Sequence, residues 1–396
     1  MMIKEVKMND FFRKTGRFLW LFLLMLVLPP ENAFLLPLVQ LIQPTTALAA
    51  EPAGPAWKDK WNETLAAAKK EGTVMLYTSS GVAVRQALVP KAKELFGLNM
   101  DVIVAKSDEL TQKIMTERQR SLYYADVFIA GTQIIMSPLS GILSPLHDSL
   151  ILPEATDPKA WPNGQLPFLD KNRLGLSLTG AYWSYILVNT DMVKEGELKS
   201  YADLVNPKWK GKMIMFDPSG GGAAVYWVNF VLKVMGQEKG EKFLRQLATQ
   251  QDLVLTKDAR LQGEWVARGK YPIAIAPSMG AVTPLLKAGA PIAWVRVREG
   301  GLVHPSGSVF AFVDKRPHPN AAKVILNWLL TADGQQLFSK AFGQPATRLG
   351  IPTEGIDPFT VPKADEKVYR LDEKFIADVE TNGREFGRKY FGHLLQ

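Results

Sequence analysis

Short apolar runs alternate with stretches of helical periodicity along most of the chain. TVMLY (73–77), MDVIVA (100–105) and DVFIA (126–130) are apolar almost throughout, as strands covered on both faces are. Between them, residues 58–70, 82–96 and 108–120 carry apolar side chains at three-to-four spacing; Trp61, Leu65 and Ala68 mark the first helix and Gly72 its stop. Further on, 174–178, 182–188, KMIMF (212–216), YPIAIA (271–276), 291–297 and 309–313 predict strands. Residues 223–235, 238–248, 259–268, 320–330 and 334–341 predict helices, and 368–396 reads as a helical tail of mixed charge. The alternation predicts an α/β fold of βα units with largely parallel sheets. No fixed-period repeat is present, which excludes solenoids and propellers.

Composition narrows the chemistry. A length of 396 residues suits about two domains of ~100–200 residues each. With no cysteine, the chain has no disulfides, thiolate zinc sites, iron–sulfur clusters or Cys nucleophiles. Lys4, Lys7, Arg13, Lys14 and Arg17 precede the uncharged run FLWLFLLMLVL (18–28), and Ala47-Leu48-Ala49 offers small residues at a cleavage site. That order predicts a secretory signal peptide over 1–49. The competing reading is a retained anchor, for which the run is shorter than the ~20 residues a spanning helix needs. The net charge of +8 is scattered without a Lys/Arg-rich patch, so a nucleic-acid partner is not expected.

Two segments share one design. TVMLY runs into Thr78-Ser79-Ser80-Gly81 and then a helix; KMIMF runs into Asp217-Pro218-Ser219-Gly220-Gly221-Gly222 and then a helix. Small residues at a strand's C-terminal end let a ligand approach the backbone, and the free N–H groups of the next helix favour oxyanions. The competing reading makes Ser79, Ser80 and Ser219 helix caps. Gly131-Thr132 after DVFIA and Ser278-Met279 after YPIAIA are further strand-end turns. Tyr182-Trp183 and Tyr226-Trp227 could line a site or pack in the core, and on a strand only one of Tyr182 and Trp183 can face a cleft. His304 lies in a Gly/Ser turn that can approach a cleft. No Walker A loop, GxGxxG, HExxH, GxSxG or SxxK occurs, so no catalytic set, metal site or cofactor is expected.

LVNPKWKGKMIMFDPSGGG (204–222), LQGEWVARGKYPIAIAPSMG (261–280) and SGSVFAFVDKRPHPNAAKVILNWLLTADGQQLFSKAF (306–342) resemble extracellular solute-binding proteins of bacterial ABC importers, nearest the ferric-ion-type (type II periplasmic binding protein) branch. The resemblance covers about 57–353. It implies two lobes hinged by crossing strands: 57–145 with 277–330 returning, and 146–276, with helices in 331–396 packing on the lobes. It implies a ligand held by Ser79, Ser80, Gly131, Thr132, Ser219, Gly220, Gly221 and Ser278-Met279; from the residues themselves, Gly222, Tyr182 and Trp183 join that list. Ferric-ion binders carry two adjacent tyrosines where this chain has Ser278-Met279-Gly280, and commonly a histidine in the turn that here reads Thr78-Ser79-Ser80-Gly81. Neither Ser nor Met supplies the anionic oxygen that Fe(III) prefers. The resemblance therefore implies a non-enzymatic periplasmic monomer that captures a small polar or anionic solute (an organic acid, phosphonate or sugar phosphate) for an inner-membrane ABC permease. The alternatives are ferric iron held with a synergistic anion, and a secreted enzyme on a similar two-lobed fold.

Overall fold

The computed structural model describes residues 56–395 apart from Gly221; the expected leader lies outside the described residues. Helix α1 (Ala56–Glu71) leads into β1 (Thr73–Thr78), α2 (Val82–Phe96), β2 (Asn99–Val104), α3 (Ser107–Gln119) and β3 (Val127–Ala130). β1 pairs in parallel with both β2 and β3. A run of short helical turns follows, anchored to the first core by the buried Leu146 and Trp161, with β4 (Leu143–Ser144), the single turn α4 (Pro153–Thr156) and β5 (Leu176–Ser177).

The chain then leaves this sheet. β6 (Ala181–Trp183) and β7 (Ile186–Asn189) occupy the segment expected to be one strand. The break falls at Tyr185, a non-glycine residue with φ 67°, a conformation that interrupts an extended run. β8 (Met213–Phe216), α5 (Ala223–Met235), α6 (Gln237–Gln250), β9 (Val254–Thr256), α7 (Ala259–Ala267), β10 (Ile273–Ile275), α8 (Met279–Lys287) and β11 (Ile292–Trp294) follow. They build a second sheet in the order β11-β7-β10-β8-β9, its β10-β8-β9 part parallel.

β12 (Gly301–His304) crosses back, and β13 (Val309–Val313) inserts antiparallel between β3 and β4 to complete the first sheet, with β5 also against it. α9 (Pro319–Leu329) and α10 (Ala332–Phe342) cover that sheet against α1 and α2. Last come β14 (Val368–Arg370) and α11 (Glu373–Phe391). β14 lies parallel to β12, which is antiparallel to β6, so a small third sheet forms from the crossing strands and the C-terminal segment.

Apolar strands explain the two cores. Val74, Leu76, Val127, Ile129, Phe310 and Phe312 pack under α2 and α9; Ile214, Met215, Ile273 and Ile275 pack among α5–α8. One buried carboxylate ties the first sheet to α9. Asp126, at 0% exposure, accepts the Met75 amide (2.8 Å), the His318 amide (2.7 Å) and a 2.8 Å contact from His318 Nδ1. A buried charge is tolerated when its lone pairs are filled in this way.

Candidate functional site

Parallel pairing of β1 and β3 places their C-terminal ends side by side, so the turns after them are neighbours. The Ser79 amide donates to the Ile129 carbonyl at 2.9 Å. Ser107, at the start of α3, joins the two turns: its hydroxyl lies 3.1 Å from Ser79 Oγ and accepts the Gly131 amide at 3.3 Å. Ser80 points elsewhere. Its hydroxyl donates to the Gly307 carbonyl at 2.7 Å and its amide donates to Thr78 Oγ1, so it fastens the β1 turn to the chain entering β13. Neither serine caps a helix; the residue before α2 is Gly81, which has no side chain to do so.

On the other side, β8 delivers the chain to the N-terminus of α5. Asp217 Oδ1 accepts the Ser219 amide at 2.8 Å and folds the loop back. Gly222 then starts the helix at φ 73°, ψ −153°, a backbone state glycine adopts without a Cβ penalty, and no side chain caps the first turn. The Val225 amide already donates to the Gly222 carbonyl at 3.2 Å, so only the amides before it at the start of α5 are left without an intrahelical acceptor, as in any helix.

These two halves meet around a cavity of about 290 Å³. Gly131, Thr132 and Gln133 line it from the β3 turn, Asp108 from α3, Gly222, Val225 and Tyr226 from α5, and His304 and Ser306 from the end of β12. Val379, Glu380 and Arg384 of α11 form the remaining wall. Thr132 Oγ1 and the Tyr226 hydroxyl lie 2.6 Å apart and bridge the two sides.

His304 is the most constrained member. It is 9% exposed, with its ring edge-on to Tyr226 at 4.7 Å between centroids. Its Nδ1 accepts the Ser306 amide at 2.8 Å, which puts the proton of the neutral ring on Nε2. Burial pulls its pKa down to about 4, so it is neutral at pH 7. Nε2–H has no partner among the described residues. A buried donor left unpaired costs ~1–3 kcal/mol, which an acceptor atom in the cavity would recover. Burial pushes the Tyr226 phenol up, so it too enters as a neutral hydroxyl. At the mouth, burial pushes the Glu380 carboxyl up; Arg384 opposes that shift and Asp108 adds to it.

Of the residues expected from sequence, Gly131, Thr132 and Gly222 line the cavity, and Ser79 stands one hydroxyl behind it. Ser219 and Gly220 sit in the loop leading to α5 but do not line it; Gly221 lies outside the described residues. Ser278 and Met279 also stand outside the lining, at the N-terminus of α8, which packs on α7. Tyr182 is turned to the opposite side of its strand, against Phe359 and the Arg296 guanidinium. Trp183 stacks on Tyr185 (4.3 Å, 19°) behind His304, one layer from the cavity. Strand alternation sends Tyr182 and Trp183 to opposite faces, and both are consumed by packing. Asp108, Glu380 and Arg384 escaped the sequence reading: Glu380 and Arg384 are spaced i,i+4 on a charged helix, the pattern of an ordinary solvated face.

Among the described residues, no group of three His, Asp or Glu is arranged to hold a metal ion, and no helix is long and apolar enough to cross a membrane.

Residues 154–368 match the family described as bacterial extracellular solute-binding protein. A curated relative, iron uptake protein A1 of Synechocystis, is 26% identical over 145 residues, 36% of this chain. The match spans 37% of that relative's length. Among solved structures, Trichodesmium IdiA (FutA) in complex with iron and citrate superposes with a TM-score of 0.63 at 22% identity, covering 82% of this chain and 99% of that one. AfuA from Actinobacillus pleuropneumoniae, with fructose 6-phosphate bound, gives 0.61 at 19% identity, covering 81% and 99%. Both share the two-lobed fold of type II periplasmic binding proteins seen here.

Proposed function

The chain belongs to the bacterial extracellular solute-binding proteins, and on that premise we propose that it captures a small oxyanion-bearing solute in the cavity between α5 and the β3 turn. The observation that carries this reading is the buried, unpartnered His304 Nε2–H beside the uncapped N-terminus of α5. Both offer donors to an acceptor oxygen, and helix N-termini favour negative charge. A volume near 290 Å³ suits an organic acid, a phosphonate or a sugar phosphate rather than a peptide. Ser79, Gly131, Thr132, Gly222, Tyr226 and His304 are the residues we assign to the site.

Two lobes joined through crossing strands close on a ligand by hinge motion, and the closed form would be the one presented to an inner-membrane ABC permease. We assign the protein to the periplasm as a monomer without enzymatic turnover. His304 Nδ1 accepts a backbone amide, which leaves the proton on Nε2 and no ring lone pair free to take a proton from a serine hydroxyl; this supports binding without nucleophilic chemistry at that ring. Isothermal titration of protein unfolded and refolded to remove co-purified ligand, against citrate, methylphosphonate, inorganic phosphate and fructose 6-phosphate, tests the reading. Micromolar or tighter binding of one of them is expected; heat with none overturns it.

Ferric iron with a synergistic anion is the second reading. It is favoured by the hard oxygen donors Tyr226, Asp108 and Glu380 around one cavity, and by the likeness to iron uptake protein A1 of Synechocystis and to the Trichodesmium protein in complex with iron and citrate. Ferric citrate would then give a visible phenolate-to-iron band that Tyr226→Phe abolishes. No band in the wild-type protein overturns this alternative.

A further inference from the structure

The family match ends at residue 368, yet α11, beyond it, forms one wall of the cavity. We infer that α11 is a working part of the binding site, with Arg384 taking an oxyanion of the solute and Glu380 an adjacent hydroxyl, so that the cleft recognises hydroxylated anions through three parts of the chain rather than two. The inference rests on the solute-capture reading above and deepens it.

The packing of α11 leaves it little choice of position. A Cβ at Gly383 would stand 2.2 Å from Val225 Cγ1, and one at Gly387 would stand 2.4 Å from the Pro218 carbonyl oxygen. Glycine inside a helix costs ~1 kcal/mol relative to alanine; here it lets the helix backbone lie directly on α5 and on the loop before it. Glu380 and Arg384, four residues apart on the neighbouring face, are thereby held at the cavity. Asp372 caps the helix through the Phe375 amide (2.7 Å) and pairs with Lys233 (3.2 Å). At the first turn, Glu373 accepts the Lys171 amide at 3.0 Å, and further along α11 touches the turn 132–135. The helix thus contacts both sides of the cleft.

The chemistry complements the interior. His304, a lining residue, has an unpartnered Nε2–H, while Arg384 supplies a guanidinium, whose planar fork suits carboxylate and phosphate oxygens. Glu380 and Asp108 are acceptors that reward hydroxyl groups on the same molecule. A bare inorganic anion would use Arg384 and leave the carboxylates unrewarded; a sugar phosphate or hydroxy acid would use both.

Titration calorimetry of the full chain with fructose 6-phosphate, citrate and inorganic phosphate tests this, alongside the unliganded Tm of each variant. Arg384→Met is expected to weaken the tightest of the three by tenfold or more with the unliganded Tm unchanged. Arg384→Lys recovers part of the loss. Glu380→Gln is expected to weaken fructose 6-phosphate or citrate while leaving inorganic phosphate within twofold. Wild-type binding with less than a tenfold loss in Arg384→Met overturns the role of α11 and leaves the solute reading standing. A loss matched by a fall of several degrees in unliganded Tm assigns Arg384 to packing and likewise overturns it. No binding of any probe by the wild-type chain overturns both.

Discussion

The hydroxyls of Thr132 and Tyr226 lie 2.6 Å apart, one on the turn that ends β3 and the other in the first turns of α5. This single bond joins the two sides of the cleft through groups that also line the cavity. A neutral side-chain hydrogen bond contributes ~0.5–1.5 kcal/mol net. Tyr226→Phe should therefore loosen closure, weakening solute binding about fivefold. Small-angle scattering of the unliganded variant should give a larger radius of gyration than wild type, and an unchanged radius would show that the bond does not hold the lobes together.

His304 should make stability acid-sensitive. Its folded pKa, about 4, lies below the ordinary histidine value of 6.5, so between those two pH values the unfolded chain binds the extra proton. The contribution is complete above pH 6.5 and is lost as pH falls toward 4, amounting to about 3 kcal/mol at most. Urea denaturation at pH 7.0, 5.5 and 4.5 should show this loss, and His304→Gln should flatten it over the same window. A parallel pH dependence in the variant would place the acid sensitivity elsewhere.

Asp126 holds two backbone amides and the His318 ring from a fully buried position. Asp126→Ala should destabilise by roughly 3–5 kcal/mol, because it strands those donors. Asp126→Asn, which keeps one acceptor oxygen, should cost less. The urea midpoint measures both, and equal losses would mean that charge rather than acceptor count is what matters there.

Gly222 combines a φ of 73° with a place in the cavity lining. Gly222→Val should cost about 1–3 kcal/mol, because its φ of 73° and ψ of −153° fall where essentially only glycine is found, and should narrow the cavity, lowering affinity more than stability. Calorimetry and thermal unfolding on the same sample separate the two effects.

Much of the fold was legible because buried strands announce themselves. TVMLY, DVFIA, KMIMF and YPIAIA coincide with β1, β3, β8 and β10 to within a residue or two, and 82–96 and 223–235 are α2 and α5. β12 and β14 were not legible; they are short, and the pairing of β12 with β6 and of β14 with β12 joins distant chain segments. The single strand expected over 182–188 broke at Tyr185 because a positive φ leaves no mark in apolar periodicity. α8 was missed where Pro284 and the turn-like Ser278-Met279-Gly280 obscured its signal. In the site, small strand-end residues pointed to Gly131, Thr132 and Gly222. Tyr226 and His304 were visible as candidates, but only tertiary packing distinguishes a ring at a cavity from one in a core. Arg384 and Glu380 carry no local signature at all.

The sheets also differ in how their strands are distributed along the polypeptide. β7 through β11 form one uninterrupted stretch, whereas the first sheet lacks its inner strand until β13 arrives behind that whole stretch. Closing so wide a loop is entropically slow, so the half built on β8 and β10 should mature first. Pulse-labelled hydrogen exchange should then find the amides of Ile214 and Ile275 protected before those of Leu76 and Ile129. The other half, with its buried Asp126 and its share of the cavity, waits on a late return of the chain, which makes it the stage at which assembly is most exposed to error.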